Sequence, residues 1–280
     1  MDGGTPATLT LFAAASLSEV MEEIAAGFKE MVPGLEIDLI LAGSQELRTQ
    51  LVHGAQADIF LSADVRQMDL AIEAGSVLGE PMIFATNRLT VIFSNHFEPT
   101  SAPPPGERSP SIPPDLAELR GLADPGISLA LALPEVPAGA YARDAIRGLE
   151  AVMGPEDQGY AARVMANVVT LETNVRGVAM KVALGEVDAG IVYLTDAQAP
   201  FVAENTRRIP ISLETGQQVV YLAAVMKGSR QPDLTDRFAG FLLSTRGQTI
   251  FKRYGFGPLP AINPEDNSAA PAAAHTPGGR

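Results

Sequence analysis

Four short segments of this 280-residue chain combine small residues with the start of a predicted helix: Ala15-Ser16-Leu17, Ala42-Gly43-Ser44-Gln45, Val136-Pro137-Ala138-Gly139 and Thr173-Asn174-Val175-Arg176-Gly177. The first N–H groups of a helix have no partner within it and carry the positive end of its dipole, so such starts can hold an anion. Ser16 with Glu19 has the S-x-x-E form of a capping box, and Val20, Met21, Ile24 and Phe28 follow at helical spacing. Gly43 lets a backbone approach a ligand closely, and Pro137 suits a first helical turn. Tyr193, at the end of Gly190-Ile191-Val192-Tyr193, adds a phenolic hydroxyl. Each piece has a plainer meaning when taken alone. A serine cap stabilises a helix by about 1 kcal/mol with no ligand present, and a tyrosine in an apolar strand commonly fills the core with its hydroxyl bonded at the rim. The residues alone leave an oxyanion site and ordinary capping equally open.

Such segments must be placed by the strands that precede them. The spacing predicts strand–helix units: strand 9–12 with a helix from Ser16, strand 37–41 with a helix from Ser44, and strand 59–62 with a helix from Val65. Strand 84–87 leads into 89–93. A second set follows, with strands at 127–133, 168–171 and 189–194 and helices from Pro137, Pro155 and Asn174. Strand 219–226 and helices 234–244 and 245–254 close the pattern. Strands alternating with helices imply α/β architecture with mixed, mostly parallel sheets, and ligands of such sheets sit beyond the carboxyl ends of the strands. Two sets with a late return predict two lobes with a cleft between them. Residues 1–84 and 217–262 form the first and 85–216 the second. The Pro-rich stretch 97–115, with Pro103-Pro104-Pro105, reads as a surface loop, and 263–280 as a disordered tail.

Composition narrows the function. A net charge of −13 argues against nucleic acid or an anionic membrane as partner. With no cysteine there are no disulfides, thiolate metal sites or cysteine nucleophiles. The longest apolar runs are well short of the roughly 20 residues that cross a bilayer. No basic, apolar leader precedes the first strand, which fits either a mature exported chain or a cytoplasmic one.

The same strings, in order, resemble the molybdate-binding proteins of bacterial ABC uptake systems, the ModA family. They are Phe12-Ala13-Ala14-Ala15-Ser16-Leu17, Ala57-Asp58-Ile59-Phe60-Leu61-Ser62-Ala63-Asp64, Val136-Pro137-Ala138-Gly139 with Tyr141-Ala142, Val175-Arg176-Gly177, Gly190-Ile191-Val192-Tyr193 and Phe251-Lys252-Arg253-Tyr254-Gly255-Phe256. The resemblance implies a type II periplasmic-binding-protein fold whose lobes close on molybdate or tungstate. It implies five ligand groups: Ser16 and Ser44 through hydroxyl and N–H, Ala138 and Val175 through N–H, and Tyr193 through its hydroxyl. These bind a metal as its oxyanion, never as a bare cation, and no cofactor is expected. The resemblance also implies an ABC permease as membrane partner, a periplasmic or extracytoplasmic location and a monomer. The chain departs from the family at Glu135, where many members carry an Asp-Pro pair; the carboxylate is expected to face solvent.

A serine-dependent enzyme would need a base, yet neither serine lies in a G-x-S-x-G elbow, and His53, His96 and His275 show no link to them. Asp58, Asp64, Asp188 and Asp196 match no metal-loop spacing. A ligand-sensing regulator would need a helix-turn-helix or a basic patch, and neither is evident. Sulfate or a small organic acid is the closer alternative. An organic acid calls for an arginine, and Arg176 is the candidate.

Overall fold

A computed structural model describes residues 7–97, 114–212, 216 and 218–259. The expected tail and all but the ends of the Pro-rich stretch lie outside those residues, as does His275.

In chain order the elements are β1 (Thr8–Ala14), α1 (Ser18–Met31), β2 (Glu36–Ala42), α2 (Ser44–Val52), β3 (Ile59–Ser62), α3 (Val65–Glu73), β4 (Val77–Asn87), β5 (Leu89–Ser94) and α4 (Pro114–Arg120). Then come β6 (Leu129–Ala132), α5 (Pro137–Val152), α6 (Tyr160–Ala166), β7 (Val168–Glu172), α7 (Val175–Ala183), β8 (Ala189–Tyr193), α8 (Pro200–Asn205) and β9 (Thr206–Pro210). The described chain ends with β10 (Val219–Met226), α9 (Pro232–Leu243) and α10 (Thr245–Arg253).

The strands build two five-stranded sheets, ordered β2-β1-β3-β10-β4 and β7-β6-β8-β5-β9. Matched place by place, the sheets share one topology. In each, the first three strands pair in parallel, and the fourth (β10 or β5) runs antiparallel to both neighbours. The chain passes from one sheet to the other between Asn87 and Leu89, and returns between Pro210 and Val219.

Burial follows from this layering. The central strands β3, β6 and β8 are buried along their whole length, as expected for strands covered on both faces. The edge strand β7 leaves Val169 and Leu171 exposed. Helix α1 turns Val20, Met21, Ile24 and Phe28 inward, and the Phe28 ring meets Phe238 edge-on at 5.1 Å. A ring cluster of Phe84, Tyr221, Phe251 and Phe256 fills the end of the first lobe beside the cleft.

Several boundaries differ from the sequence reading. Helix α1 starts at Ser18, after a 3-10 turn over Ala15–Leu17, so Ser16 and Glu19 form no capping box. Strand 84–87 is the end of the longer β4. The helix expected from Pro155 is a short 3-10 turn, and α6 begins after Gly159, which sits at a φ of 78°. Helices α4 and α8 and strand β9 were not foreseen. β9 reads Thr-Arg-Arg-Ile-Pro, without clean alternation, and its closing proline is tolerated because it lies on an edge.

Candidate functional site

The carboxyl ends of β1, β2, β3 and β8 and the starts of α2, α5 and α7 converge on one small cavity of about 20 Å³. It is lined by Ala14, Ala15, Ser16, Gly43, Ser44, Ala63, Val136, Pro137, Ala138, Asn174, Val175 and Tyr193. All five residues expected at the site line it, and each is at least nine-tenths buried.

Backbone geometry accounts for the amides. Ala138 follows Pro137 in the first turn of α5, while the N–H of Gly139 already turns back to Val136 O at 2.9 Å. Gly139 has to be glycine, since a Cβ there would lie 2.0 Å from the carbonyl oxygen of Leu133. Val175 opens α7 behind Asn174, whose Oδ1 accepts from Gly177 N–H at 3.1 Å. Ser44 is the first residue of α2. Glu46 and Leu47 N–H both bond Gly43 O, which leaves the amides of Ser44 and Gln45 as the unpaired starts of that helix. The expected reason for Gly43 changes with the structure. Its φ of −61° is ordinary; the space its Cβ would take is occupied by the Gln45 side-chain amide, 2.5 Å away.

The hydroxyls are held by residues the sequence reading missed. Ser16 Oγ lies 2.9 Å from Tyr221 OH, and Asn87 Nδ2 donates to the same phenol at 3.2 Å. Ser44 Oγ accepts from Ala63 N–H at 3.1 Å. Tyr193 OH is fully buried with no hydrogen-bond partner among the described residues. Burial, reinforced by Tyr221, Tyr141, Asp196 and Asp64 around it, pushes its pKa well above the ordinary tyrosine value, so it stays a protonated donor. The only local signal for Tyr221 was an aromatic in an otherwise aliphatic strand. Asn87 had none, since its partner lies 134 residues away.

Charged groups surround the cavity without entering it. Arg176 pairs with Glu19 of the other lobe and with Asp196 Oδ1 at 3.4 Å. Asp196 is fully buried, and burial pushes its pKa up to about 7, with Arg176 opposing the rise. Asp64 caps α3 by accepting from Gln67 N–H; burial raises its pKa, and that hydrogen bond offsets part of the effect. Asp58 accepts from Thr10 N–H and Ser229 Oγ, and Asp188 from Ser128 N–H and Oγ. The four aspartates therefore do separate structural jobs. His53 bonds Thr49 O on an exposed helix end. Glu135 is exposed, and its carbonyl accepts from Gln67 Nε2 at 3.2 Å. With Gln45 Nε2 donating to Thr173 O at 2.9 Å, and Asn87 Nδ2 to Thr195 Oγ1 at 2.9 Å, hydrogen bonds tie the lobes around the cavity.

A family model described as bacterial extracellular solute-binding protein matches residues 9–257. The molybdate-binding protein ModA of Mycobacterium tuberculosis is 32% identical over 249 residues, covering 89% of this chain and 84% of that protein. Among solved structures, the periplasmic molybdate-binding protein of Azotobacter vinelandii superposes with a TM-score of 0.70 at 19% identity, over 89% of this chain and 99% of that one. The sulfate-binding protein SubI of M. tuberculosis gives 0.75 at 16% identity, over 90% and 87%. At such identities the two structures speak to the fold alone.

Proposed function

The chain belongs to the bacterial extracellular solute-binding protein family, among the relatives of ModA, and from that premise we propose that it captures molybdate, and tungstate with it, for an ABC permease. The reading places the anion in the interlobe cavity, held by Ser16, Ser44, Ala138, Val175 and Tyr193. It takes the protein to work outside the cytoplasm as a monomer. The family is one of binding proteins and not of enzymes. Consistent with this, the partner of the Ser16 hydroxyl is a tyrosine and not a base.

One observation favours an inorganic oxyanion over an organic acid. The cavity offers hydroxyls and helix-start amides, and the nearby cation, Arg176, is turned away onto Glu19 and Asp196. An organic acid would look for that arginine. A fully ionised tetrahedral oxyanion needs only donors, and hydrogen bonds to a charged group contribute about 1.5–3 kcal/mol each. Several of them in a small, buried cavity support sub-micromolar binding after ordering costs. Because the donors come from both lobes, only the closed arrangement satisfies the whole anion, and a permease can recognise that closed shape.

Calorimetric titration of dialysed protein with molybdate, then tungstate, with excess sulfate as competitor, tests the reading. One-to-one binding that sulfate does not displace is expected. Preference for sulfate would move the assignment to that anion. Absence of heat with either metal oxyanion in ligand-free protein would overturn it.

A further inference from the structure

We propose that Asn87 and Tyr221 are positioning residues that fix Ser16 as a hydrogen-bond donor toward the cavity, and so determine which protonation state of a tetrahedral anion the site accepts. The proposal rests on the oxyanion reading above and adds two residues outside the cavity lining.

Proton direction follows from counting donors. Arg88 N–H can only donate, and it meets Asn87 Oδ1 at 2.9 Å, which settles which way round the amide lies. The Asn87 Nδ2 protons then go to Thr195 Oγ1 at 2.9 Å and Tyr221 OH at 3.2 Å. Tyr221 is completely buried and has one proton to give. Having accepted from Asn87, it donates to its other partner, Ser16 Oγ, at 2.9 Å. Burial also pushes the Tyr221 pKa upward, so the phenol keeps that proton. Ser16 Oγ is thereby an acceptor on its inner side, and its own proton is left for the cavity. Ala63 N–H does the same for Ser44.

Two hydroxyls are thus set as donors by groups behind them. An acceptor-only dianion meets matched protons. A monoprotonated anion, such as hydrogen phosphate, brings a proton of its own and needs an acceptor. To accept that proton while keeping the Tyr221 hydrogen bond, Ser16 would have to swing its own proton away from the anion, where no acceptor among the described residues meets it. Such an unsatisfied donor corresponds to a penalty of roughly ten- to a hundredfold in affinity.

The test compares the wild-type chain with Asn87→Asp and Tyr221→Phe. Each is titrated with molybdate and with inorganic phosphate between pH 6 and 8, and the ligand-free melting temperature is recorded alongside. In Asn87→Asp a carboxylate accepts the Tyr221 proton, so the phenol becomes an acceptor and Ser16 turns inward. Molybdate affinity should fall about tenfold or more, and the molybdate-to-phosphate preference should shrink by a similar factor. Tyr221→Phe adds no charge and frees Ser16 to rotate, so about a threefold loss of preference is expected. Lower melting temperatures with an unchanged preference in both variants would overturn the proposal and leave a merely structural role. A second readout does not depend on the ligand. In ligand-free protein the Tyr221 hydroxyl proton should be slow to exchange, visible by proton NMR beside Ser16 and shifted in Asn87→Asp. A wild type that ignores molybdate yet shows this proton would sink the ligand assignment and keep the relay. A fast-exchanging or unshifted proton would sink the relay.

Discussion

The first lobe and the second present the same strand order to the cavity but furnish it differently. In the first, both proposed donors are serines with partners inside the protein: Ser16 Oγ shares a hydrogen bond with Tyr221 OH, and Ser44 Oγ accepts from Ala63 N–H. In the second, two of the proposed donors are bare helix-start amides, and the third, Tyr193 OH, has no hydrogen-bond partner among the described residues. The first lobe therefore holds its side of the site in place with or without a ligand. The second carries an unsatisfied buried hydroxyl that a ligand would complete. Two glycines beside the cavity, one from each lobe, also differ in how tightly they are constrained. Gly139 is pressed against backbone, while Gly43 faces only a movable side-chain amide.

Four substitutions can break or sharpen this contrast, taken by their expected effect on the ligand-free fold. Gly139→Ala should cost most, upwards of about 3 kcal/mol, because its Cβ would meet two fixed carbonyl oxygens; denaturant unfolding measures it. Asp196→Asn comes next and is read against pH. The folded-state pKa of about 7 lies above the ordinary 3.8, so between those values the folded chain keeps a proton that the unfolded chain has released. The stability this group contributes is whole below about pH 4 and is lost as pH rises through 7. The Asn variant should flatten that decline, by on the order of 2 kcal/mol across the window, in melting curves from pH 4 to 8.

Ser16→Ala leaves the Tyr221 proton without its acceptor and should cost about 1 kcal/mol of stability together with anion affinity. Tyr193→Phe is its counterpart in the second lobe. It deletes an unpartnered hydroxyl, so the ligand-free melting point should hold or rise slightly while molybdate binding weakens about tenfold or more. If Tyr193→Phe destabilised the empty protein as much as Ser16→Ala, the contrast between the lobes would fail.

Much of this was legible in the residues. The runs that became β1, β3, β8 and β10 show as apolar stretches because strands covered on both faces exclude charge along their whole length. Ser44, Ala138 and Val175 are visible as helix starts because capping, proline at the first turn and the small residues beside them are local chemistry. Tyr193 shows as the end of an apolar strand. Ser16 was found for a wrong local reason: the structure gives it no capping box, and its hydroxyl belongs to Tyr221. The edge strand β9 was missed because its pattern does not alternate.

The sequence by itself determined the αβ alternation, the two lobes and the places where unpaired amides would stand, because each depends on residues within a turn or two of one another. Which way the hydroxyl protons point, and whether Arg176 faces the ligand or away from it, was decided only by tertiary structure. Those outcomes rest on Asn87 with Tyr221 and on Glu19 with Arg176, pairs 134 and 157 residues apart. Folding brings such partners within hydrogen-bonding distance, and no local pattern announces that they will meet.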